Sequence, residues 1–187
     1  MKLHYMGKYN LDPASLPHGA HPPGAVKFRE PENSRSLAVI ANLGAAVLFL
    51  VTFSALYLRG GLAAFSIVGV LLSLAALLPH ELLHAVCFRE DVYLYTNLRQ
   101  GMLFVVGPEP MRKGRFLFMS MLPNLVFGFV PFALFLIEPS WSVLGTLGAL
   151  SIPMGFGDYI NVFNAATQMP RGARTYLYEF HSYWYLP

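Results

Sequence analysis

Four long apolar stretches divide the chain, at about residues 37–58, 62–88, 116–137 and 141–165, and polar gaps of unequal length separate them. Each stretch reaches the roughly 20 residues that a helix rising 1.5 Å per residue needs to cross hydrocarbon. Lipid offers the backbone no hydrogen-bond partner, so segments of this kind are predicted to be helices. The expected fold is an all-α membrane protein, a bundle of four transmembrane helices. The gaps Arg59-Gly60-Gly61 and Glu138-Pro139-Ser140 are short enough to join antiparallel neighbours. The gap at 89–115 is longer. Within it Val92-Tyr93-Leu94-Tyr95 and Met102-Leu103-Phe104-Val105-Val106 flank Gly101, which predicts a small β-hairpin between helices 2 and 3. Gly107-Pro108-Glu109-Pro110 then reads as a turn.

One domain is expected over 1–187, with a polar N-terminal tail (1–36), the membrane core (37–165) and an aromatic C-terminal tail (166–187). That last tail carries Tyr176, Tyr178, Phe180, Tyr183, Trp184 and Tyr185, rings that favour the headgroup layer. The start of the chain lacks the short basic region and immediate apolar core of a cleavable signal peptide, so it is expected to be retained.

Composition strengthens the membrane reading. Of 187 residues 55% are hydrophobic and only 12% charged, and the mean hydropathy is +0.48. Soluble domains carry about 25% charged residues, and half of that cannot cover a water-facing surface. The net charge of +3 does not point to nucleic acid, because the cations sit in the gaps without a like-charge block or aromatic interleaving. Five Lys or Arg lie in the N-terminal tail, one in the first short gap, five in the long gap, none in the second short gap and two in the C-terminal tail. The positive-inside rule then places both tails and the long gap in the cytoplasm, and the expected location is a multi-pass protein of a prokaryotic plasma membrane. A single cysteine, Cys87, excludes an internal disulfide.

The second apolar stretch contains His80-Glu81-Leu82-Leu83-His84. On a helix, residues four apart share a face, so both imidazoles can reach one metal ion. Glu81 can reach a water on that ion and act as general base. Chance would produce this pattern roughly 0.007 times in a chain of this composition. Three ionisable groups in one turn of a lipid-buried helix are expensive and point to function, the bland alternative being a structural polar cluster.

Catalytic zinc usually takes three protein ligands and keeps one position open. The third candidate is Asp158, in Gly155-Phe156-Gly157-Asp158-Tyr159-Ile160-Asn161. The second and fourth stretches run in the same direction, and each carries its polar residues near the end expected to be cytoplasmic. Otherwise Asp158 is a helix cap or a hydrogen-bonded core acid. Cys87 and His181 are weaker competitors, and His18 and His21 read as loop residues. Asn124 could contact substrate or a developing oxyanion, or bond a neighbouring helix; Asn42, Asn161 and Asn164 have the same structural alternative. Pro79 removes a backbone donor just before His80 and is expected to kink its helix.

The pattern resembles the predicted integral-membrane zincins and is more distantly similar to the site-2 proteases. The shared features are His80-Glu81-Leu82-Leu83-His84 in one helix and Gly157-Asp158 followed by Asn161 in a later one, within 37–164. Site-2 proteases carry an Asn-Pro-Asp-Gly-like run at the later motif, and only the aspartate carries over here. The resemblance implies a zinc metallopeptidase with His80, His84 and Asp158 on Zn²⁺ and Glu81 as base, acting on a membrane protein or peptide substrate within the lipid bilayer. The alternatives are a metal-binding scaffold without catalysis, or a zinc hydrolase of a non-peptide amide or ester.

Overall fold

The structure is a computed structural model that describes every residue except Phe180, together with all side chains but those of Ser34 and Gln100. Phe180, one of the tail aromatics, thus lies outside the described residues. The chain is mostly helical, 57%. Its contacts gather it into two compact units.

One unit comprises Pro31–His80 and Met121–Ile160. It opens with α1 (Ser34–Gly60), whose first turn is capped by the Asn33 side chain accepting from the Ser36 amide. Next comes α2 (Ile67–Ala75), separated by Ala76 alone from α3 (Leu77–Ala85). A long helix begins as α4 (Lys113–Pro123), widens into a π-helical segment over Asn124–Phe129, and ends as α5 (Val130–Ile137). The last pair is α6 (Ser142–Met154) and α7 (Phe156–Gln168); α3 from Glu81, α4 as far as Ser120 and α7 from Asn161 belong to the other unit. Small residues let these helices approach closely, as is usual where no hydrophobic force drives helices together. A Cβ at Gly148 would overlap Phe132 and the Gly128 carbonyl, and one at Gly69 would overlap Thr146. Leu56, Ala64, Phe135 and Ala149 form the unit's core. Thr146 donates to the Ala64 carbonyl at 3.0 Å and accepts from the Ser66 amide at 2.9 Å.

Three helical stretches are long and apolar enough to cross a membrane: Arg35–Ala64, Ile67–Ala85 and Lys113–Ile137. They become four if the bent pair Ser142–Met154 and Phe156–Gln168 is one span. In the most apolar part of Arg35–Ala64 only 6% is buried by the protein itself. So long an exposed apolar surface fits lipid and not water.

Two of the expected continuous helices are interrupted, and the residues at the breaks explain why. The helix expected over 62–88 breaks at Ala76. Pro79 has no N–H for the Ala75 carbonyl, yet Ile67–Ala85 still counts as one helical stretch. The helix expected over 141–165 bends by 55° at Gly155, just after Pro153. Pro153 likewise frees the Ala149 carbonyl, and Thr52 Oγ1 donates to it at 2.8 Å.

The other unit comprises Met1–Glu30, Glu81–Ser120 and Asn161–Pro187. The expected hairpin is present: β3 (Val92–Asn97) pairs antiparallel with β4 (Met102–Val106), and Gly101 takes a φ of 64° at the turn. The all-α expectation is otherwise too narrow. β1 (Leu3–Lys8) pairs parallel with β3, so the first sheet runs β1-β3-β4 and β4 is its edge. A second sheet runs β2-β7-β6-β5, where β2 is Val26–Lys27, β5 is Met111–Arg112, β6 is Arg174–Tyr178 and β7 is His181–Tyr185. The segment read as an aromatic tail is therefore a hairpin. Its tyrosines recur at every second position within each strand (Tyr176 and Tyr178, Tyr183 and Tyr185), Trp184 falls on the alternate face, and Tyr176 faces Tyr183 across the ladder.

Glu109 fastens the exit of α3 to the start of α4. Only 8% exposed, it accepts from the amides of Arg89 (2.7 Å) and Glu90 (3.2 Å) and pairs with the Arg115 guanidinium. Arg115 Nε also donates to the Cys87 carbonyl at 2.7 Å. Burial pushes the Glu109 carboxyl up, but the bonds from Arg115 and the two amides, with the Arg115 charge, outweigh it and hold it below the usual carboxylate range. A depressed carboxyl adds stability above its unfolded pKa and loses it as pH falls through the folded value. Glu109→Gln is expected to lower stability near neutral pH by about 1.5–3 kcal/mol. It should also flatten the loss of thermal midpoint below about pH 4.3, the ordinary glutamate value. An equally steep acid loss in the variant, followed by thermal unfolding in detergent, would contradict this role.

Candidate metal centre

α3 carries His80, Glu81 and His84 on one turn. Each offers a ligand atom, and the three atoms all lie within 4.8 Å of one another. His84 is buried, while His80 and Glu81 are half-buried.

Each of these side chains is held by a partner that the protein supplies. His84 Nδ1 lies 3.0 Å from the Met119 carbonyl. A carbonyl only accepts, so Nδ1 carries the proton and Nε2 keeps the lone pair a metal needs. The Met119 carbonyl can serve because Pro123, four residues later in the same helix, has no N–H to give it. Glu81 Oε2 accepts from the Val105 amide at 3.1 Å, on edge strand β4.

His80 Nε2 lies 3.1 Å from Asp158 Oδ2, in the first turn of α7. That same oxygen accepts from Asn124 Nδ2 at 2.7 Å. Of the roles open to Asn124 from sequence, a bond to a neighbouring helix is therefore the one seen. Asn124 is 1% exposed and opens the π-helical segment, a feature common at functional sites. Gly155 is required beside it, since a Cβ there would overlap the Asn124 side-chain amide.

The other candidates lie elsewhere. Cys87 is half-buried with its thiol 3.5 Å from the Leu83 carbonyl, and burial pushes that thiol up while Arg115 offsets this in part. His181 Nδ1 meets Glu30 at 3.3 Å. His18 and His21 sit in loops, His21 against the Tyr176 hydroxyl at 2.9 Å. Asn42 donates to the Ala38 carbonyl, and Asn164 is buried and accepts from Gln168.

Sequence reasoning missed the Val105 amide and the Met119 carbonyl, which are backbone groups. Pro123 was the one visible trace of the second. Both residues also line a cavity of about 180 Å³, whose walls include Phe88, Met111, Phe116 and Tyr176. With Glu109, Asn161, Thr175 and Ser182 also in its walls, it is a recess of mixed polarity beside the groups that hold Glu81 and His84.

A family model described as "Putative zincin peptidase" matches residues 73–174, a stretch that includes α3, the hairpin, the π-helical segment and Asp158. No curated protein and no solved structure matches the chain.

Replacing Pro123 tests the bond between His84 and the Met119 carbonyl directly. Pro123→Ala returns an N–H to the Met119 carbonyl, which then competes with His84. Loss of such an orienting bond usually costs 10–100-fold in metal affinity. The variant is expected to keep its helical circular dichroism and to bind zinc weaker by about that factor in competition with a chelator. Unchanged affinity would show that the carbonyl does not orient His84.

Proposed function

The chain belongs to this zincin peptidase family, for which zinc is the cofactor, and from that premise we propose that it is a membrane-embedded zinc metallopeptidase. His80, His84 and Asp158 hold the metal, and Glu81 is the general base. The observation that carries this reading is the cluster itself: ligand atoms of His80, Glu81 and His84 within 4.8 Å of one another on one helical turn, with Asp158, outside that group, at 3.1 Å from His80. The donor set fits. Imidazole nitrogen and carboxylate oxygen are zinc ligands, and two ligand atoms each about 2.0–2.1 Å from a tetrahedral ion stand roughly 3.3 Å apart.

Zinc, when bound, supplies Lewis acidity, lowering the pKa of a water to about 7 and polarising a carbonyl. The protein's own groups do the rest. Glu81 takes the proton of the attacking water on a carboxylate oxygen and passes it to the leaving nitrogen. The Val105 amide holds that carboxylate in place. The Met119 carbonyl fixes His84, and Asn124 fixes Asp158, so both are positioning groups.

Edge strand β4 suggests how substrate is held. The Val105 N–H, taken by Glu81, points away from β3, and by the alternation of an antiparallel ladder so does that of Leu103, which faces the open edge. A membrane protein or peptide substrate unwound into an extended strand can add to that edge. In this reading the reaction is intramembrane proteolysis of the site-2-protease kind. The charge distribution favours both termini on the cytoplasmic side.

The test uses the full chain in detergent, zinc content by mass spectrometry, and hydrolysis of a fluorogenic peptide library. Glu81→Gln should retain zinc and lose about 10²–10⁴-fold in rate. The His80→Ala/His84→Ala double variant should lose the zinc itself. Normal rates in the first, or unchanged zinc in the second, would sink the assignment.

A further inference from the structure

Apart from the metal-binding turn, four cations line one hollow. Arg112, Lys113, Arg171 and Arg174 surround an open cavity of about 540 Å³, whose wall is mostly apolar, made by their aliphatic stems with Leu117 and Pro187. No Asp or Glu lines it. The pairing of β5 with β6 places Arg112 directly opposite Arg174. Like charges so placed repel and destabilise a strand pair. Among the described residues, none of Arg112, Arg171 and Arg174 forms an ion pair. Lys113 is partly used: its ammonium donates to the carbonyls of Ala166 and Met169, both at 2.8 Å, where α7 ends. That leaves one of its three N–H groups.

A sequence that sets two arginines against each other and adds two more cations breaks a local rule. Such conflicts are expected where a site is built. The hollow also stands where the apolar stretch Lys113–Ile137 begins and α7 finishes, at the end of membrane-type helices. Phosphate-bearing headgroups lie at that level. The guanidinium fork matches phosphate oxygens two at a time, and the volume exceeds that of a small ion.

We propose that this hollow binds a phosphate group, carried by an anionic phospholipid headgroup or by free inorganic phosphate. Binding neutralises the Arg112–Arg174 repulsion and ties β5, β6 and the turn between α7 and β6 to one ligand. It involves none of the zinc-binding residues, so zinc content reports on the other site independently.

The zinc-loaded full chain is placed in phosphatidylcholine nanodiscs doped with phosphatidylglycerol, and retained lipid is counted by native mass spectrometry. Inorganic phosphate is titrated separately in neutral detergent. Each cation near an anionic surface contributes enough that Arg112→Gln/Arg174→Gln should weaken binding about thirtyfold, with zinc content unchanged. Arg171 belongs to no strand, so Arg171→Gln tests the site without touching the sheet and should weaken binding about fivefold. Arg89→Gln, outside the hollow, should bind normally. Phosphatidylglycerol retained without phosphate binding assigns the site to a headgroup; saturable phosphate binding assigns it to the free anion. Absence of both, affinities that ignore Arg171 and the double variant, or an equal loss in Arg89→Gln would overturn the proposal.

Discussion

A proline within a membrane helix strips the carbonyl four residues earlier of its amide partner, and lipid supplies no other. A buried carbonyl left this way costs about 1–3 kcal/mol, enough to select for a donor from elsewhere in the chain. The protein meets this constraint repeatedly. Pro153 frees the Ala149 carbonyl, and Thr52 of α1 takes it. Pro123 frees the Met119 carbonyl, and His84 takes it. The first exchange locks two helices together. The second uses the same backbone vacancy to fix a tautomer. Helix packing and metal chemistry thus share one physical cause.

The groups around the turn that carries His80, Glu81 and His84 follow a common plan, in which each side chain is held by a partner. Glu81 rests on a strand amide, His84 on a helix carbonyl, and Asp158 receives the Asn124 amide. Two of these anchors are backbone, whose positions the secondary structure determines. Asn124 in turn is fitted against Gly155, where any side chain would intrude. Orientation supplied in advance is what a ligand set needs if it is to act without reorganising.

Much of this was legible in the sequence. Apolar length gave the helices, two β-prone runs around Gly101 gave the hairpin, and His80, Glu81 and His84 announced themselves by spacing. Asp158 stood out as an acid embedded in an apolar stretch, and the structure places it beside His80. The rest was hidden for definite reasons. β1 pairs with a strand almost ninety residues away, and nothing local in Leu3–Lys8 marks it. β2 and β5 are two residues each, too short to show a period. The alternating rings of β6 and β7 did carry a strand signal, but in an apolar chain they resembled a headgroup belt. Val105 and Met119 contribute main-chain atoms, which a pattern of side chains does not encode.

Strand pairing also constrains how the chain threads a bilayer, without reference to charge. Sheets do not hydrogen-bond through hydrocarbon, so β1 and β3 share a side, and α1 and the α2–α3 stretch between them cross together or not at all. β5 and β6 are likewise paired, and between them lie the Lys113–Ile137 helix and the bent pair α6–α7. If the first of these passes through, the bent pair must return the chain, which makes it one complete traverse despite its 55° elbow. By this parity, if all three long helices cross, the bent pair crosses as well.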